Sequence, residues 1–336
     1  MPPKPMALYL LDAPLVPFED VFGDATRRRL ADRLGIPDGP VSSATLAADP
    51  ARFRDVRLVL STWGMPSFPA EEWGRLLPAL EAVFYAAGSV QAFAGPLLAR
   101  GVRVFSAWGE NAVPVAEMAA AQILLANKGW FQAQLRAKAD YAAGRAYAAR
   151  FPGNYRERVG LLGAGRIGTL VARFLQAHDL EVLVYDPFLS DADAARLGVR
   201  KAGLEEIFST CRTVSNHLAD KPETKGLLDG RLFDRMPPDA TFLNTGRGAT
   251  VVEEDLLRAL RDAPDRTAVL DVVWPEPPDP ARFRDVPNVF LTPHIAGSLN
   301  RECLRMGDAM AEEVVRYLDG APSEREVTAA MLAAMA

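Results

Sequence analysis

Cysteine is nearly absent from this chain. Cys211 and Cys303 are the only two among 336 residues. That is too few for a disulfide framework, and neither lies in metal-ligand spacing, so no metal is expected. So few thiols fit a reducing, cytoplasmic setting. Long apolar runs are missing as well: none approaches the ~18 residues that suggest a membrane span. The run Met6–Leu11 is short and stops at Asp12, and it reads as a first β-strand rather than a signal peptide. Positive charge is not in excess. The 38 Lys and Arg against 43 Asp and Glu give a net charge of −5, without the basic footprint of a nucleic-acid binder. No single-sign charge block, internal repeat or low-complexity tract is present. Histidine is limited to His178, His217 and His294, which shortens the search for a proton donor near neutral pH.

What is present is the composition of an ordinary globular protein. With 49% hydrophobic and 24% charged residues the chain can bury substantial cores, and its length suggests about two domains. Short apolar runs at Ala7–Leu11, Val56–Leu60, Glu81–Tyr85 and Val102–Phe105 predict buried parallel strands. Helical patterns fall between them, around Asp24–Leu34 and Glu71–Leu80. A long helix is predicted from Val113 to about Lys128. The Ala-, Arg- and Gln-rich stretch to about Arg150 reads as helix and exposed connection, with an oligomer contact in view. A second block predicts six strands, at Arg158–Leu162, Glu181–Tyr185, Thr213–His217, Thr241–Asn244, Ala268–Asp271 and Val289–Thr292. Helices between them complete a doubly wound α/β pattern. The proline-dense Trp274–Pro280 is a loop, and a last helix covers about Asn300–Leu318.

A glycine turn opens the second block: Val159-Gly-Leu-Leu-Gly163-Ala-Gly165-Arg-Ile-Gly168. Gly163 permits a tight turn, Gly165 lets backbone approach a pyrophosphate, and Gly168 lets helix pack close to strand. The phosphates then lie over free N–H groups at a helix N-terminus. A lone turn of this kind is weak evidence; the flanking strand, helix, second strand and terminal acid strengthen it. Asp186 closes that second strand, where a carboxylate accepts from a ribose diol and repels a 2′-phosphate. NAD is therefore expected, with NADP disfavoured. Asp186 also fits a turn or cap role before Pro187, and both readings can hold.

Strand ends supply the candidate chemistry. His217 and His294 each end or follow a predicted strand, whereas His178 reads as a surface residue near a helix end. His217 lines the cofactor cleft or is a satisfied core histidine; both readings stand. Arg247 follows a strand between glycines, and a guanidinium offers a planar fork that matches a carboxylate. Glu276 lies in the proline-braced loop after another strand. Each alone reads as an ordinary surface residue, but together they suit hydride chemistry. A ketone receiving hydride needs a proton donor and a cation to polarise the carbonyl. A carboxylate beside an imidazole favours its protonated form.

Several ordered motifs make the chain resemble the D-isomer-specific 2-hydroxyacid dehydrogenase family. They are Val115-Ala-Glu117, Gly163-Ala-Gly-Arg-Ile-Gly168, Val214-Ser-Asn-His217, Pro222-Glu-Thr224, Asn244-Thr-Gly-Arg-Gly248, Asp271-Val-Val-Trp-Pro-Glu276-Pro and Thr292-Pro-His294-Ile-Ala-Gly297. The resemblance implies two doubly wound parallel-sheet α/β domains with a cleft between them. One is a flavodoxin-like substrate domain (1–108 plus 300–336), the other a Rossmann NAD-binding domain (109–299). It further implies His294 as acid/base, Glu276 as its partner, and Arg247 as the clamp on the carboxylate and carbonyl of a small 2-hydroxy/2-oxo acid. Arg166, Ile167, His217, Leu218, Thr245 and Asp271 would join Gly163, Gly165, Gly168 and Asp186 around the cofactor. Family members are usually homodimers joined through the NAD-binding domain.

Departures fall on the substrate side. The family's usual Gly-x-Gly-aromatic-Asp turn is here Ala86-Ala-Gly88-Ser-Val-Gln91, lacking the acid and the aromatic. Backbone N–H groups at Gly88 and Ser89 remain to hold a carboxylate. The loop Ser61-Thr-Trp63-Gly64 places Trp63 beside the pocket, with Trp108 similarly positioned; ordinary packing explains both tryptophans equally well. Two alternatives stay open: a dinucleotide-sensing, corepressor-like binding protein on the same scaffold, and a dehydrogenase of another small donor such as formate or phosphite.

Overall fold

The computed structural model describes residues 3–334. The chain divides into two compact units. One comprises the chain up to Ala112 together with the chain from Ser298 onward; the other is Val113–Gly297.

The first unit is built on a five-stranded sheet: β1 (Met6–Leu10), β2 (Pro40–Val41), β3 (Val56–Ser61), β4 (Ala82–Tyr85) and β5 (Arg103–Ser106). Its order is β2-β1-β3-β4-β5, with every ladder parallel. This is the flavodoxin-like order. Apolar side chains alternate to the two faces and bury on both. One face carries Tyr9, Phe84 and Phe105 beneath the helix Arg301–Leu318; the other carries Leu8, Val59 and Val83 against Trp73. A core on each face explains why these strands are continuously apolar.

The second unit holds β6 (Tyr155–Leu162), β7 (Asp179–Tyr185), β8 (Arg200–Lys201), β9 (Thr213–Asn216), β10 (Thr241–Asn244), β11 (Thr267–Leu270) and β12 (Val289–Leu291). Their order is β12-β11-β10-β9-β6-β7-β8, again all parallel. The chain runs outward from β6 through β7 to β8, then reverses to β9 on the other side. That reversal at the β6/β9 boundary is the switch point at which α/β sheets bind ligands beyond their strand ends. The sheet has seven strands where six were expected. The addition, β8, is a two-residue edge strand of Arg and Lys, too short and too charged to carry an apolar signature.

Two helices differ from expectation. The one predicted from Val113 begins at Trp108 and runs to Asn127 with Pro114 inside it, where the missing N–H leaves one helical bond unmade. The stretch read as helix and exposed connection forms two helices, Trp130–Ala139 and Tyr141–Ala148, broken at Asp140, whose carboxylate caps the second through Ala142 and Ala143 N–H. The Tyr147 hydroxyl donates to Asp239 at 2.7 Å, and Arg150 pairs with Asp239 at 3.0 Å. Asp239 precedes β10, so this helical pair is pinned to the amino ends of the strands.

Candidate active site and dinucleotide cradle

The glycine turn follows β6. Gly163 has φ +96°, and a Cβ there would lie 2.9 Å from the His217 carbonyl oxygen. A Cβ on Gly168 would lie 2.0 Å from the Gly163 carbonyl oxygen, so the helix Arg166–Leu175 rests directly on the turn. Gly165 differs: nothing lies within 4 Å of its would-be Cβ. It is the N-cap of that helix and supplies no side-chain cap, which leaves the first N–H groups for a ligand. Arg166 is exposed at the helix start, and Ile167 packs against the apolar cluster below. Close packing at two glycines and open approach at the third make a cradle suited to a pyrophosphate.

Asp186 closes β7 and braces the turn. Its Oδ2 accepts from Ala164 N–H at 2.7 Å and its Oδ1 from Phe188 N–H at 2.8 Å. The turn role is therefore real, and each oxygen retains acceptor capacity.

His217 is buried after β9. Its Nε2 meets Ser215 Oγ at 3.0 Å, while Nδ1 is buried without a partner among the described residues. Burial pulls its pKa down to about 4, so the ring is neutral at physiological pH. Leu218 is buried, with its N–H bonded to Asn216 Oδ1 at 3.2 Å. Thr245, beyond β10, also buries a hydroxyl without a partner among the described residues. Such groups cost about 1–3 kcal/mol each unless a ligand satisfies them. Two of them at adjacent strand ends fit the polar nicotinamide end of a dinucleotide.

Arg247 is held by a buried amide web. Asn216 Nδ2 donates to Asn244 Oδ1 (3.0 Å) and Thr250 Oγ1 (2.9 Å); Asn244 Oδ1 also takes Gly246 N–H at 3.1 Å. Thr250 Oγ1 donates to the Arg247 carbonyl at 2.8 Å. The guanidinium itself reaches only the Gly246 carbonyl, at 2.8 Å, and forms no ion pair among the described residues. A half-buried, unneutralised cation is thereby presented at the end of β10.

Asp271 and His294 form the next layer. Buried Asp271 accepts from Thr292 Oγ1 (2.6 Å), Ile295 N–H (2.8 Å) and Ala296 N–H (2.9 Å). Its carbonyl takes His294 N–H at 3.0 Å. These bonds hold His294 at φ +54°, a conformation unfavourable for a side chain with a Cβ. The exposed His294 ring places Nδ1 2.9 Å from Glu276 Oε2, while Glu276 Oε1 accepts from Val273 N–H at 3.2 Å. A carboxylate is acceptor-only, so it fixes the proton on Nδ1 and leaves Nε2 outward for proton exchange.

Two residues with no sequence signal, Glu253 and Arg282, frame this loop. Glu253 Oε2 accepts from Trp274 N–H at 3.2 Å, Arg282 Nη1 donates to the Trp274 carbonyl at 3.2 Å, and Arg282 pairs with Glu253 at 2.7 Å. Burial raises the Glu253 pKa, against the Trp274 N–H and Arg282, which favour the carboxylate. In sequence, Glu253 looks like any acid opening a helix.

The expected substrate-side residues lie in the first unit, at neighbouring strand ends. Trp63 and Gly64 follow β3, and Gly88 and Ser89 follow β4; Thr62 Oγ1 joins the loops through the Ala86 carbonyl at 2.9 Å. Gly64 adopts φ +101° with its carbonyl bonded to Asp12 N–H at 2.7 Å. Ser106 Oγ donates to the Gly88 carbonyl at 2.6 Å, and Ser89 is exposed. Trp63 and Trp108 are half-buried against the apolar clusters, so packing accounts for much of both.

A doubly wound sheet with a glycine cradle at its switch point defines a dinucleotide-binding α/β protein of the dehydrogenase kind. Comparison with known proteins narrows this. Residues 121–296 match the model of the D-isomer specific 2-hydroxyacid dehydrogenase, NAD binding domain. The chain belongs to that family, and the matched span includes the glycine cradle. It is 36% identical over 209 residues to a putative 2-hydroxyacid dehydrogenase of Bacillus subtilis, covering 59% of this chain and 59% of that protein. It is 31% identical over 315 residues to the D-3-phosphoglycerate dehydrogenase of Mycobacterium leprae, covering 92% of this chain and 58% of that one. The match thus spans little more than half the length of either relative. In fold it resembles the apo D-mandelate dehydrogenase of Rhodotorula graminis, with a TM-score of 0.78, 21% identity, and coverage of 97% of this chain and 98% of that one. No described helix is long and apolar enough to cross a membrane.

Proposed function

We propose that this protein is an NAD-dependent oxidoreductase of a small 2-hydroxy/2-oxo acid, with His294 as the acid/base group. The observation that carries the reading is the 2.9 Å contact between His294 Nδ1 and Glu276 Oε2, beyond β11 and β12 at the same carboxyl edge of the sheet as the glycine cradle. The bound cofactor supplies or accepts the hydride. Arg247 binds the carboxylate and polarises the carbonyl. His294 Nε2 gives its proton to the developing alkoxide, and Glu276 stabilises the imidazolium and orients the ring. In the oxidative direction His294 takes the proton back.

Gly163, Gly165, Arg166, Ile167 and Gly168 hold the pyrophosphate, and Leu218, Thr245, Asp271 and His217 surround the nicotinamide end. Asp186 selects NAD over NADP through its remaining lone pairs and its charge. The first unit serves as substrate domain, with Gly88 and Ser89 N–H groups meeting the substrate carboxylate and Trp63 and Gly64 shaping the pocket. Exposed Trp130, Leu135 and Tyr141 on the helical pair make it the surface for a homodimer through the NAD-binding domain. The setting is cytoplasmic. The test is NADH oxidation with a panel of 2-oxo acids: turnover of at least one that disappears in His294→Ala supports the reading. Tight NADH binding with complete inactivity would instead make the protein a dinucleotide-binding sensor.

A further inference from the structure

We propose that Glu253 and Arg282 are positioning residues that set the Glu276 carboxylate against His294. This rests on the acid/base reading of Glu276 and His294. Glu276 lies in irregular chain between β11 and the 3-10 turn Pro280–Phe283. No strand ladder or helical bond fixes it, and its side chain holds only Val273 N–H besides His294. The support comes from outside the loop. Trp274 N–H donates to Glu253, its carbonyl accepts from Arg282, and those two side chains are themselves paired at 2.7 Å. Arg282 Nη2 also donates to Glu254 Oε1 at 2.7 Å, a second carboxylate anchoring the same guanidinium.

The arrangement is costly. Glu253 is only 8% exposed, and a buried carboxylate demands compensation. The Trp274 indole gains nothing from it, since that side chain is 53% exposed with only Lys225 over its ring. What the clamp orients is therefore the backbone around Trp274. Glu276 follows two residues later. Gly248, next to Arg247, presses on the same backbone: its would-be Cβ lies 2.1 Å from the Val273 carbonyl oxygen and 2.8 Å from Trp274 N. One fixed peptide thus sets both the carboxylate behind His294 and the segment bearing Arg247. Displacing it degrades proton transfer by misplacement rather than by removal of a reacting group.

Three histidines make a direct readout practical. In 15N-histidine-labelled protein at mildly alkaline pH, long-range 1H–15N spectra report each imidazole tautomer. Wild type is expected to show His294 protonated on Nδ1, and Glu276→Ala to shift it toward the Nε2–H form. Arg282→Met and Glu253→Gln should move His294 part or all of that way. They should lower kcat by about ten- to a hundredfold, with the NADH Kd changed less than about twofold. Arg282→Lys should recover part of both effects, since an ammonium still pairs with Glu253. The Arg282 variants, at a half-buried rather than fully buried side chain, remain informative if the buried Glu253 variant fails to fold. A wild-type His294 spectrum in both clamp variants, with a shifted one in Glu276→Ala, overturns the proposal and leaves the acid/base reading intact. An unchanged spectrum in Glu276→Ala removes the pairing itself and the proposal with it.

Discussion

His294 is the proposed acid/base group. It sits in strained backbone, bonded through its N–H to Asp271 and through Nδ1 to Glu276. Removing the ring should cost proton transfer and little else. His294→Ala is expected to lower kcat/KM by about 10²–10⁴-fold, with NADH affinity, read by fluorescence titration, nearly unchanged. Arg247 differs because, in the proposed mechanism, it would touch substrate in ground and transition states. Its guanidinium has no carboxylate partner among the described residues. Arg247→Ala should therefore raise KM for the 2-oxo acid and lower kcat together, each by about tenfold or more. A change confined to melting temperature would make Arg247 structural.

At the scale of elements, the glycine turn separates packing from binding. Gly168 has backbone 2.0 Å from where a Cβ would stand, whereas Gly165 has open space. Gly168→Ala should lose about 2 kcal/mol or more of stability, because helix and strand must part. Gly165→Ala should keep its stability and bind NADH about tenfold more weakly or worse; urea melts and NADH titration of the two variants check the contrast. The same scale shows why some of the fold was legible and some was not. Central strands such as β4 and β10 are buried on both faces, so their apolar runs stood out, and within each sheet the parallel order lines up the carboxyl ends. The edge strands β2 and β8 are two residues long and carry no such run. Arg247, Glu276 and His294 were readable because each follows a strand or lies in a proline-rich loop. Glu253 and Arg282 were not, because their roles depend on bonds to a Trp274 peptide that no local pattern announces. Asp186 was legible as a turn acid before Pro187, but its particular partners, Ala164 and Phe188 N–H, are set only by the folded turn.

At the scale of the whole molecule, His217 couples stability to pH. Its folded pKa of about 4 lies below its ordinary 6.5, so between those values the unfolded chain binds the extra proton. Its stabilising contribution is complete above pH 6.5 and is lost as pH falls toward 4, by about 3 kcal/mol in all. Chemical denaturation of wild type and His217→Phe at neutral and mildly acidic pH should show a smaller acid loss in the variant. Equal losses would place the acid sensitivity elsewhere. Cofactor choice is read on the intact protein too. Asp186→Ala should raise the NADPH/NADH ratio of kcat/KM, although its bonds to Ala164 and Phe188 predict some loss of NADH binding as well.

The central claim is that a nicotinamide cradle and the His294–Glu276 pair together reduce 2-oxo acids. The most direct measurement is NADH oxidation across a panel of 2-oxo acids by wild type and His294→Ala, with NADH binding measured on both. Wild type should turn over at least one acid, His294→Ala should lose that turnover by about 10²-fold or more, and the two should bind NADH equally. Undiminished turnover in His294→Ala would contradict it.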